Sequence, residues 1–390
     1  MIIGLPLLHA LLASTAAVQV AGGTDIEIVR DLAPRCVTPP YRIEEAPLLE
    51  IGSADGLQAT DFQAILAARL VPDGLIAIVD LYGHEIRLFD ATTGRLVRSI
   101  GRSGRGPAEF AAAPSIAVST EGGIWAWDPG NRRLTHFGLE GEARSEHHFS
   151  GGGWGFPAVF TLNAWRVSSG GDVLFTGGGT RISTRTMWAI EAVSLISRDE
   201  SGLVLIGPRD STSHVLEDGL WVGDPFKARR SAVIVSDRIH VTQVGAWQID
   251  VYHRRGERIR ILRHAIPRTP VTRAIKARAR TRLEQFEQPA FLRLFDRLAI
   301  EDSTSAIGGV KVSSEGTLWV QRWHSRRMDE DQVFDIVDRA GRWAGTVRLP
   351  RGAGELADVT SDRILTVRRD EFDIPYIRLY RLSRSADCFK

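Results

Sequence analysis

From Ile100 to Gly141 the chain alternates short apolar runs with clusters of turn-forming residues. A Gly-rich turn (Gly101, Gly104, Gly106, Pro107) leads to Glu109-Phe110, then to the apolar runs Ser115–Val118 and Ile124–Trp127, separated by Glu121-Gly122-Gly123. Asp128-Pro129-Gly130-Asn131 makes the next turn, Arg133–Phe137 a third strand, and Gly141 a turn into a fourth, Ala143–Phe149. Short strands joined by such turns predict an antiparallel four-stranded meander.

The pattern repeats. Ile51-Gly52 precedes Ile100-Gly101 by 49 residues, while Asp61-Phe62, Val79-Asp80 and Phe89 precede Glu109-Phe110, Trp127-Asp128 and Phe137 by 48. Turn-plus-strand signals recur so that second strands fall near Ile78, Ala126, Leu174, His240, Trp319 and Leu365, at spacings of 48, 48, 66, 79 and 46. A sheet of this size cannot cover both its faces alone, and a period in the forties with four strands per unit predicts a β-propeller. The expectation is an all-β, six-bladed ring spanning 46–388, after an irregular lead-in over 24–45. Ala46–Gly52 aligns with the fourth strand of the repeat, whereas the segment after Ala357 supplies only three strands. Leu48–Ile51 is therefore expected to pair with Tyr376–Leu382, which closes the ring and removes an exposed sheet edge. That closure brings the two cysteines, Cys36 and Cys388, to one rim. A disulfide between them is expected in an oxidising compartment, against the alternative of two unrelated thiols.

The segments GRSGRGPAEF (Gly101–Phe110) and WDPGNRRLTHFGLEG (Trp127–Gly141) resemble NHL repeats of bacterial extracytoplasmic six-bladed propellers. The resemblance is strong over Ile51–Gly141, fair over Gly308–Tyr380 and poor between them. It implies a fold and no particular reaction, because propellers host binding modules, lyases, lactonases and scaffolds.

The two long spacings predict insertions in or around the third and fourth blades. Residues 210–230 read as a loop carrying Trp221, Phe226 and basic residues. Residues 268–300 read as helical: Thr269 as N-cap, Pro270 at the first helical position, and an apolar stripe of Val271, Ile275, Ala279, Leu283 and Phe286. Pro289 ends that helix, and Phe291 to Leu298 form a shorter one. The stripe is expected to pack beside the channel mouth, with the Arg side outward.

Composition adds limits. The chain has 390 residues and a net charge of +2, which argues against a dedicated nucleic-acid binder. Only four lysines (227, 276, 311 and 390) accompany 45 arginines, a bias read as genomic. Ile2–Ala21 is apolar and Ala-rich, with small residues at Ser14-Thr15-Ala16, and predicts a signal peptide over 1–23. Pro6, His9, Ser14, Thr15 and Gln19 interrupt the span, so a retained membrane anchor is the lesser reading. Secretion or a periplasmic location follows.

Local catalytic signatures are missing from the sequence: there is no HExxH, no CxxC, no P-loop and no GxGxxG between strand and helix. Gly101–Arg105 is not a nucleophile elbow, because Arg105 stands where glycine is needed. No cofactor is implied and no metal set assembles, although ligands scattered over blades would leave no local motif. Strand order gathers the longest polar loops on the face holding the second-to-third and the inter-blade connections. Ligand-binding candidates there are His84, Arg105, Glu109, Trp154, Arg322, His324, Arg368 and Asp370. Each has a structural alternative: Glu109 binding backbone amides, and Arg322 and Arg368 pairing with acidic neighbours. Asp80 and Asp128 are expected to cap their own turns. The reading is a binding module for a small molecule, glycan, peptide or protein at the channel mouth. The alternative is a lactonase-, lyase- or glycan-cleaving-type enzyme at the same mouth, with a structural assembly role third.

Overall fold

The computed structural model describes residues 26–31, 33–53, 60–149, 164–177, 180–182, 186–198, 203–217, 220–284, 289–323 and 332–388. The N-terminal apolar segment, Trp154 and His324 lie outside the described residues. Three strands come first: β1 (Glu27–Asp31), β2 (Tyr41–Ile43) and β3 (Leu49–Ile51). Blade 1 holds β4 (Ile65–Val71), β5 (Leu75–Asp80), β6 (Ile86–Asp90) and β7 (Leu96–Ile100). Blade 2 holds β8 (Ser115–Val118), β9 (Ile124–Asp128), β10 (Arg133–Phe137) and β11 (Ala143–His148). Blade 3 is built from β12 (Ala164–Val167), β13 (Val173–Gly177), β14 (Thr180–Ile182), β15 (Thr186–Ile196), β16 (Leu203–Glu217) and β17 (Leu220–Gly223). Blade 4 holds β18 (Ala232–Val235), β19 (Arg238–Thr242), β20 (Gln248–His253) and β21 (Arg258–His264). After helices α1 (Arg273–Glu284) and α2 (Pro289–Asp296) comes blade 5, with β22 (Ile307–Val312), β23 (Leu318–Arg322), β24 (Val333–Val337) and β25 (Trp343–Arg348). Blade 6 ends the chain with β26 (Glu355–Val359), β27 (Arg363–Arg369) and β28 (Pro375–Arg384).

The chain is a six-bladed β-propeller of antiparallel meanders. Its core lies between the blades, with one cluster of buried side chains at each interface. Strand β5 shows how the sequence produces this. Alternate residues of a strand face opposite sides of the sheet, so Ile76 and Ile78 pack toward blade 6 while Ala77 and Val79 pack toward blade 2. Both faces are covered, and the second strand therefore reads as a continuous apolar run. Ring closure follows the expected register: Ile51, Glu50 and Leu49 pair with Ile377, Arg378 and Leu379.

The lead-in is more regular than expected. Strand β1 pairs in parallel with β21 on the outer edge of blade 4. The chain then crosses to blade 5, where the Trp343 amide donates to Asp31 Oδ2 (2.7 Å) and the Cys36 amide to the Ala344 carbonyl (3.0 Å). Strand β2 joins the edge of β28 ahead of β3. Residues 27–51 therefore form a strap over three consecutive blades. It is irregular to sequence reading because its strands are short and borrow their partners from distant segments. The Cys36–Cys388 disulfide, with a Cα–Cα distance of 5.2 Å, fastens the strap to the turn that follows β28.

Two further expectations are corrected. Much of the 210–230 loop is strand: β16 runs on to Glu217 and β17 turns back against it, extending blade 3. Helix α1 begins at Arg273, later than Thr269 suggested. Pro270 instead makes a β-bridge with Ser303, and the Thr272 hydroxyl accepts the Ile275 amide (3.3 Å) as the cap. Helix α2 packs against α1, β16 and β17, burying Leu294 and Phe295. The helices lie in the connection from β21 to β22, and the α1 stripe residues Ile275, Ala279 and Leu283 are half-buried.

Candidate functional site

The described mouth candidates are held mostly by structural contacts. The Gly101–Phe110 segment folds over Glu109, whose Oε2 accepts the Gly106 amide (2.8 Å) and whose Oε1 accepts Arg102 Nε (2.9 Å). These donors hold its carboxyl below the usual range. A Cβ at Gly104, at φ +152°, would stand 2.0 Å from that same carboxylate, which is why the turn needs glycine there. His84 Nδ1 contacts the Phe110 carbonyl at 2.9 Å. Arg322 makes a two-pronged contact with the fully buried Asp335. Arg368 sits 3.5 Å from Glu50 and lies over the Tyr376 ring, and Asp370 caps its turn through the Phe372 and Ile374 amides (2.9 Å each). Arg105 is exposed. Asp80 and Asp128 cap turns as expected, accepting the amides of Tyr82 and Gly130. His84 touches the loop that carries Glu109, and Arg368 and Asp370 share Tyr376, but the six described candidates form no single cluster.

A second constellation, absent from the candidates above, sits on the innermost strands. In each blade one inner-strand residue pairs with the equivalent position of the second strand. These pairs are Arg69 with Ala77, Ala117 with Trp125, Arg166 with Leu174, Val233 with His240, Lys311 with Trp319 and Asp358 with Leu365. The six inner residues form one tier around the axis, one or two residues from the first-to-second-strand hairpins. Lys311 of blade 5 interacts electrostatically with Arg166 of blade 3, Arg69 of blade 1, and Asp358 and Glu355 of blade 6. Electrostatic influence across non-adjacent blades fits inner-strand residues that face the propeller axis.

The four charged residues of the tier are half-buried, so solvent reaches them, while Ala117 and Val233 are buried. Arg69 Nη1 donates to the Ala68 and Ala357 carbonyls (2.9 and 3.1 Å). Asp358 Oδ2 accepts the Leu70 amide (2.8 Å), and Arg166 Nη2 donates to Ser231 Oγ (3.3 Å). Burial pushes the Asp358 carboxyl up, against the pull of Arg69. Burial, with Arg166 and Arg69 behind it, pushes the Lys311 amine down to about 7. Among the described residues the Lys311 amine makes no hydrogen bond or ion pair. The sequence carries a faint signal for this tier: single charges (Arg69, Arg166, Lys311) inside otherwise uncharged first strands, with Asp358 sharing its strand with Glu355. Only the blade register shows that they coincide.

Among the described residues no group of three or more His, Cys, Asp or Glu side chains could hold a metal ion. No helix there is long and apolar enough to cross a membrane.

A family model, DUF5128, described as a 6-bladed beta-propeller, matches residues 63–150. The chain is similar in structure to an exported protein of Bacteroides fragilis, at 12% identity and a TM-score of 0.44, covering 92% of this chain and 99% of that one. It is also similar to a catalytically inactive virginiamycin B lyase from Staphylococcus aureus, solved with quinupristin, at 9% identity and a TM-score of 0.39, covering 88% and 100%. No curated protein sequence matches the chain.

Proposed function

We propose that the protein is an exported binding module that receives its ligand, a small molecule or the end of a glycan, peptide or protein, at the axis of the propeller. The observation carrying this reading is the solvent-reached tier of Arg69, Arg166, Lys311 and Asp358, where charges from four blades converge. Convergent polar groups in a concave, pre-formed setting are the usual basis of ligand recognition. The Cys36–Cys388 bond and the apolar N-terminal segment support export. The test is a thermal-shift screen of organic acids, sugars and short peptides on the wild-type protein and on K311M and D358N. Hits whose shift disappears in the variants place the ligand at the axis, and hits that ignore both variants refute the reading.

The enzyme reading keeps one favourable observation. An amine that is half free base at neutral pH stands near a carboxyl with a raised pKa, the pairing of displaced pKa values that acid–base chemistry uses. Turnover of a screening hit, lost in both variants, would favour it over simple binding.

A further inference from the structure

The charge balance of the tier has a direction. Three of its six positions carry basic side chains and one a carboxyl, and the remaining two, Ala117 and Val233, bring no charge. Among the described residues Asp358 makes no ion pair with Arg69 or Lys311, and its Oδ2 accepts the Leu70 amide. Glu355, at the start of β26, is the other carboxylate acting on Lys311. Like charges from three blades brought together repel one another, and the repulsion is relieved by a counter-charge set between them.

We propose that this tier is an anion-binding site, which takes a small molecule by a carboxylate or phosphate group between Arg69, Arg166 and Lys311. The inference rests on the axial reading above and narrows it to one ligand chemistry. Guanidinium groups suit planar or tetrahedral oxyanions, and the ammonium adds a point charge.

A consequence separates this site from a general basic surface. Without ligand, Arg166 and Arg69 oppose protonation of Lys311, while Asp358 and Glu355 favour it. An anion in the tier reverses the first effect, so above neutral pH binding brings a proton with it. Affinity therefore weakens as pH rises above about 7, approaching a tenfold loss per unit where the unliganded amine is neutral and the liganded one charged.

The probes are sulfate, standing for phosphate, and oxalate, standing for carboxylates. Both remain dianions from pH 6 to 9. Titration calorimetry in buffers of different protonation heat should show uptake of close to one proton at pH 8 and almost none at pH 6. K311R keeps the charge and should bind with a flat pH profile, whereas K311M should lose at least about tenfold in affinity at pH 6. Thermal unfolding of each variant confirms that it is folded. Binding of sulfate alone assigns the site to phosphate-type ligands, and binding of oxalate alone to carboxylates. Equal binding by wild type and K311M, or the same pH profile in wild type and K311R, overturns the proposal. If neither anion binds while screening hits remain sensitive to D358N, the anion inference fails and the axial reading stands. If hits ignore every variant of the tier, the axial reading itself fails.

Discussion

Single residues here are governed by what surrounds them across blades. Lys311 pairs with Trp319 of β23, and burial together with the charges of Arg166 and Arg69 lowers its amine to about 7, so that far more of it is unprotonated at pH 7 than of an ordinary lysine. Trace acetylation at pH 7 followed by peptide mass spectrometry should therefore label Lys311 ahead of Lys227, which is paired to Glu301 at 2.8 Å, and of Lys276. Preferential labelling of Lys227 or Lys276 would contradict the description of the tier. His264 shows the same effect with no functional claim attached. It is buried against Trp247 and near Trp343, its Nδ1 is 3.6 Å from Asp31, and burial lowers its pKa to about 4. Its folded pKa lies below its unfolded value of 6.5, so the unfolded state binds the proton first. Stability from this group is complete above pH 6.5 and is lost as pH falls toward 4, by up to about 3 kcal/mol. The denaturation midpoint of H264F should therefore decline less than that of wild type between pH 7 and 4. Parallel decline in both would show that His264 does not contribute.

At the scale of elements, the regular parts of the fold were legible and the borrowed parts were not. Second strands could be located from Ile78 to Leu365 because each is covered on both faces and carries its own turn signal, such as Glu121-Gly122-Gly123. Gly123 is explicit about its role: at φ +94° an added Cβ would stand 2.1 Å from the Phe137 carbonyl oxygen. Strands β1 and β2 carry no such signal, since their pairing depends on β21 and β28 in remote parts of the chain. The α1 cap was misplaced by three residues because Thr269 and Thr272 both suit an N-cap; the bridge from Pro270 to Ser303 selects the second. Helix α2 is held by Leu294 and Phe295 against α1 and the β16–β17 extension. L294A should cost about 2–4 kcal/mol of local stability. Limited proteolysis should then cut within 268–300 before the ring unfolds, and uniform loss of all blades at once would show that the insertion is integral to the ring.

At the scale of the whole molecule the question is what keeps six sheets in a ring. Inter-blade clusters act between neighbours, including the one that joins blade 6 to blade 1, and the chain ends reinforce that last seam. The repeat alignment revealed β3 as the missing strand of blade 6, because Ala46–Gly52 carries the landmarks of a fourth strand. The charged tier stayed hidden because its members are spread from Arg69 to Asp358, and coincidence in space left no spacing to read. Two devices secure closure: β3 on β28, and a disulfide spanning 352 residues. The bond shortens the freedom of the unfolded chain, a contribution of up to roughly 5 kcal/mol. The strand acts differently, by covering an edge that would otherwise present unpaired backbone groups. The two contributions should separate experimentally. Thiol titration of the denatured, unreduced protein should find no free thiol, and C36S/C388S should unfold at lower temperature while remaining monomeric and ring-closed. Removing residues 1–52 takes away β3 along with the strap and exposes β28, so that protein should associate through the open edge even at temperatures where C36S/C388S is fully folded. Sedimentation of the two variants decides the matter. If the truncated protein stays monomeric with an unchanged melting temperature, the N-terminal strand does not close the ring in solution.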